Sequence, residues 1–153
     1  MKKLFIPLAI CLLVLTGCST TKGVFKLTLS PTPLVMNVDP AIVTHLQVAE
    51  PKDSFAKQAT KDGAIAQTLV YYIPDQGTKV IFMSVYEFPA AKFDQLKNPN
   101  QPPAYGEEVL RKDGKVFSVA GPKDSIFDPK SADGKRVAAL YATIYKETTY
   151  STP

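Results

Sequence analysis

Nine consecutive residues, Val80 to Phe88, are apolar on both faces of an extended chain, with only Ser84 and Glu87 interrupting. A strand of that kind needs cover on both sides, which places it near the middle of a sheet with helices or loops over it. The residues before it reinforce this. Ala64 to Ile73 is rich in strand-forming side chains. Leu69, Tyr71 and Ile73 fall on one face, Val70 and Tyr72 on the other. Pro74-Asp75-Gln76-Gly77 supplies a turn between the two runs and makes them an antiparallel pair.

A second hairpin lies downstream. Glu107 to Lys112 pairs with Lys115 to Val119 across Asp113-Gly114, a dipeptide suited to a two-residue turn. Counting outward sets Leu110 opposite Phe117 and Arg111 opposite Val116. Between the hairpins, Ala90 to Lys97 predicts a short helix with Pro89 at its first turn and Phe93 and Leu96 towards the sheet. Three prolines between Asn98 and Pro103 end it. Gly121-Pro122 breaks the last strand, and Lys123 to Gly134 forms a long polar loop around Ile126 and Phe127. Ser131 or Asp133 caps a C-terminal helix, in which Val137, Leu140, Tyr141 and Ile144 recur at helical spacing.

Upstream, Phe25, Leu27 and Leu29 alternate as in a strand, and Pro31, Pro33 and Pro40 punctuate the next stretch. Ile42 to Val48 alternates as a half-buried strand. Residues 49 to 63 form a polar excursion with a helical turn near Ser54 to Thr60. The economical α+β architecture is one antiparallel sheet of five or six strands packed against two helices on one face. A small β-barrel with peripheral helices is the alternative. The expected organisation is residues 1–17 as a signal peptide, 18–23 as a lipidated cysteine and short tether, 24–147 as one globular domain, and 148–153 as a polar tail.

The N-terminal assignments come from residues that resemble a known class. Lys2 and Lys3 precede an apolar run from Leu4 to Leu15, too short for a comfortable membrane span, which needs about 20 apolar residues. Leu15-Thr16-Gly17-Cys18 closes the run and resembles the lipobox of a bacterial lipoprotein precursor. The resemblance covers Met1 to Cys18. It implies cleavage before Cys18, a diacylglycerol on that thiol, and a further acyl chain such as palmitate on the released amine. Ser19 stands where Asp is the familiar signal for retention in the inner membrane of didermal bacteria. The resemblance therefore implies a lipid-anchored protein of the cell envelope, on the periplasmic side of the outer membrane in a didermal host.

Processing would remove Cys11 and cap Cys18, so the mature domain would fold without a disulfide. About 135 residues would remain, enough for one sizeable core. Losing Lys2 and Lys3 leaves 16 basic against 14 acidic side chains, a net +2, with no basic run interleaved with aromatics. Nucleic acid is not an expected partner.

No constellation points to chemistry. His45, the single histidine, lacks an accompanying nucleophile elbow and reads as a strand residue. Asp124, Asp128 and Asp133 lack calcium-loop spacing, and zinc signatures are absent. Glu87 reads as the solvent edge of the sheet, and adjacent Glu107 and Glu108 point to opposite faces. The expectation is a non-catalytic protein without metal or cofactor that binds an envelope protein or another envelope component. Tyr72, facing outward, and Ile126 and Phe127 in the long loop are the candidate contact residues. Phe127 also suits anchoring of its own loop. The alternative is a small-ligand carrier or sensor with a pocket between sheet and long loops.

Overall fold

The computed structural model describes residues 23–52, 54–124 and 126–153. The segment expected as a signal peptide, Cys18 and the expected tether up to residue 22 lie outside them. The central feature is a five-stranded antiparallel sheet in the order β3-β4-β5-β7-β6. Its strands are β3 (Leu46–Ala49), β4 (Ala66–Tyr72), β5 (Val80–Pro89), β6 (Glu107–Lys112) and β7 (Lys115–Ala120). The doubly apolar β5 is the middle strand, flanked by β4 and β7. In the β6–β7 hairpin Leu110 lies opposite Phe117 and Arg111 opposite Val116. Asp113 and Gly114 both take positive φ, 50° and 73°, as a two-residue turn matching the strand twist requires.

A second sheet has no counterpart in the sequence-based expectation. It has three antiparallel strands in the order β1-β2-β8: β1 (Phe25–Thr28), β2 (Val35–Val38) and β8 (Tyr150–Ser151). The segment expected as a polar tail thus carries a strand. Tyr150 is buried, pairs with Met36, and donates its hydroxyl to the Ile144 carbonyl at 2.8 Å. Thr149 is buried beside it and donates its hydroxyl to the Thr143 carbonyl at 2.8 Å.

The helices also divide between two faces of the large sheet, rather than sharing one. On one side Val70, Tyr72, Met83, Val85 and Phe117 pack under the small sheet and α4 (Ala132–Tyr141), which contributes Val137 and Leu140. On the other, Tyr86, Phe88 and Val116 meet Ala59 of α2 (Ser54–Lys61) and Phe93 of α3 (Ala90–Leu96). Alternation along β5 decides this: Met83 and Val85 point one way, Tyr86 and Phe88 the other. A bulge between Val70 and Tyr71 adjusts the register. Val70 pairs with Met83 but Tyr71 with Ile81, so Phe82 is the extra residue.

The strand expected from Ile42 starts late. Pro40–Val43 forms a one-turn helix, α1, because Asp39 accepts a hydrogen bond from the Ala41 amide at 2.9 Å and Pro40 suits the first helical position. Only Leu46–Ala49 remains extended, as edge strand β3. Glu87 is likewise not at a solvent edge. It is 3% exposed and takes the Lys115 ammonium at 2.6 Å.

Candidate functional site

Tyr72 does not face outward. It is fully buried, because strand alternation puts it on the same side as Val70, and that side is covered by α4 and the small sheet. Its hydroxyl donates to Asp133 Oδ1 at 2.7 Å. Its ring lies between two others, His45 stacked at 5.7 Å and 15°, and Phe127 tilted at 5.4 Å and 60°. Asp133 also accepts from the Asp75 amide, at 3.2 and 3.3 Å to its two oxygens. Arg136 Nη1 donates to Asp133 at 3.0 Å and to Asp75 at 2.9 Å. These groups tie the first turn of α4 to the β4–β5 turn. The hydrogen bond from Tyr72, foremost, holds the Asp133 carboxyl below the usual range, while burial pushes the Tyr72 phenol up.

The long loop is fastened to the same cluster. Phe127 is half-buried against the larger core, and Ile126 beside it is exposed. Asp128 then receives both the backbone amide and the hydroxyl of Ser131 on its carbonyl, at 2.9 and 2.7 Å. Ser131 caps α4 by accepting from the Gly134 amide at 2.9 Å. Gly134 is required by contact, since a Cβ there would overlap the Asp128 carbonyl.

His45, Asp75 and Asp133 bring three metal-ligating atoms within 4.8 Å of one another. Arg136, however, already stands between the two carboxylates, and Asp133 is further engaged by Tyr72 and the Asp75 amide. His45 Nδ1 is 2.9 Å from the Ile73 carbonyl, which calls for a proton there. Nε2 then faces Asp75 Oδ1 at 4.0 Å. The arrangement is a clasp, centred on the Arg136 cation, that holds the helix. Asp124 and Asp128 are not part of it.

The loop and α4 instead shape the surface beside them. Two adjoining depressions of about 370 and 690 Å3 share Pro122, Lys123 and Tyr141. The smaller lies between the long loop and α4, over Pro129, Val137 and Ala138. The larger continues past Tyr145 to Ile81, with Pro102 and Pro103 on its far rim. Tyr141 and Tyr145 form its aromatic wall, with ring centroids 5.7 Å apart at 86°. They are 46% and 38% exposed, and Ile81 is 51% exposed. Tyr145 is positioned by the Gly121 amide, which donates to its hydroxyl at 3.1 Å. A side chain at Gly121 would collide with that same ring.

Helical spacing assigns Tyr141 to the core. The helix ends at Tyr141; Val137 and Leu140, with Ile144 in the turn beyond, already fill that side, and Tyr141 is left on its flank. Ile81 and Tyr145 carry no sequence signal of their own. A glycine next to proline at 121–122, ahead of two tyrosines four residues apart, is the one hint available. Compared with protein-family models, with curated proteins and with solved structures, the chain has no match.

Proposed function

We propose that this protein is a lipid-anchored, non-catalytic lipoprotein of the cell envelope. It binds an envelope protein or another envelope component through the groove walled by Tyr141 and Tyr145. One observation carries the binding reading: the joined depressions present half-exposed tyrosines, Ile81 and four prolines on a supported surface. Tyrosines bury large area at low entropic cost, and prolines hold the rims in shape. Anchoring rests on Leu15 to Cys18, with Ser19 favouring the outer membrane in a didermal host.

The test is a photocrosslinking residue placed at Tyr141 in the native host, with Lys57 on α2 as the comparison position. A defined envelope protein or polymer captured from position 141, not from 57, and lost when Tyr145 is changed to Ala, supports the reading. A recurring small molecule in the 370 Å3 depression, a volume suited to small ligands, would favour a carrier instead. Equal capture from both positions would overturn the groove as the binding surface.

A further inference from the structure

We propose that the chain's entry into β1, at Val24, Phe25 and Lys26, docks on the bilayer that holds the lipid anchor. This rests on the anchoring proposed above. Val24 is 64% exposed and Phe25 45%, and Lys26 is exposed beside them. Phe25 pairs with Val38, and β1 is an edge strand with β2 as its one partner among the described residues. Two neighbouring apolar side chains on such an edge invite association with other strands unless something covers them.

Chain length identifies the cover. Five residues separate Cys18 from Val24, and an extended chain of that length spans at most about 18 Å. An acylated Cys18 therefore keeps β1 next to the headgroups. At that boundary an aromatic and an aliphatic side chain gain from leaving water, and a lysine meets lipid phosphate. The acidic groups at this end of the small sheet are Asp39, next to Val38 and capping α1 through the Ala41 amide, and exposed Glu147, in the turn whose Thr148 carbonyl accepts from Asn37. The point nearest the anchor thus offers exposed apolar side chains and one lysine among charges of both signs, so that burial of Val24 and Phe25, not net charge, is what suits it to a membrane surface.

The protein has no tryptophan, so one introduced residue is a unique optical reporter. Lipidated full-length protein carrying Phe25→Trp is reconstituted into phosphatidylglycerol-containing vesicles with brominated acyl chains. Val24→Trp serves as a second reporter and Ile81→Trp, in the groove, as the control. The expected result is blue-shifted emission and loss of most intensity at positions 24 and 25, with no change at 81. Unquenched, red-shifted emission at 24 and 25 in protein whose mass shows an acylated Cys18 overturns the docking face and leaves the anchor standing. A mass without acyl chains overturns both.

Discussion

Single residues fix the surface that we propose to be functional. Gly134 is the clearest case, because the atoms a side chain would meet belong to the Asp128–Pro129 backbone and cannot step aside. Gly134→Ala should destabilise the fold by roughly 2 kcal/mol, the scale of an overpacked contact. It should also loosen the 121–130 loop, read as a lower denaturation midpoint and faster hydrogen exchange near Asp128. Tyr72 is different: its ring contacts those of His45 and Phe127, and its hydroxyl alone reaches Asp133. Tyr72→Phe keeps the packing and removes one hydrogen bond, so a loss of about 1 kcal/mol in urea unfolding is expected. A neutral result would mean that Arg136 and the Asp75 amide hold Asp133 unaided. Sequence spacing marks Tyr72 and Phe127 as residues of interest but does not tell whether either faces solvent. That depends on which face of the sheet α4 and the small sheet cover.

At the scale of elements, the hairpins are legible in the sequence and the small sheet is not. Asp113-Gly114 and the alternation around it specify a register locally, and Leu110 and Arg111 meet the partners that counting gives. Strand β8 has two residues and its partner β2 lies more than a hundred positions earlier, so no local pattern reveals it. Tyr150 is its buried side chain. Tyr150→Ala should cost roughly 3 kcal/mol, as for other buried aromatics, and should free the β2 edge. Thermal unfolding of this variant beside Tyr145→Ala separates the two roles. The first should lower Tm clearly, while the second should change Tm less and abolish capture at position 141. Strand β6, on the outer edge, is guarded by charge instead. Arg111 donates to both Asp94 and Glu108 at distances between 2.8 and 3.1 Å, and Lys97 joins them through Glu108. Exposed pairs of this type contribute little stability and keep the edge polar.

Across the whole molecule, the shifted carboxylates share one tendency. Asp62 is held below its ordinary value by the Tyr105 hydroxyl and Gln58. Arg111 does the same to Asp94 and Glu108, and Tyr72 to Asp133. A folded-state value below the unfolded one contributes stability that is present above the unfolded value. It is lost as pH falls through the folded value. Stability should therefore stay level from neutral pH down to about 4 and fall below it, since unfolded carboxyls titrate near about 4. Thermal melts across the range from neutral pH into strong acid check this, and a Tm that rises on acidification would contradict it.

What the sequence alone determined is what neighbours in the chain decide. These are the apolar centre at β5, two hairpins with their turns, a cap at Ser131 or Asp133, and an α+β composition around one antiparallel sheet of five or six strands. Tertiary structure decided what distant partners settle: helices on opposite faces, a second sheet closed by Tyr150, a buried Tyr72, and a groove where Tyr141 and Tyr145 meet Ile81. The difference is physical. Hydrophobic period and turn chemistry act over a few residues. Which face is covered, and which aromatic is left outside, depends on the total area available once every long-range contact has been made.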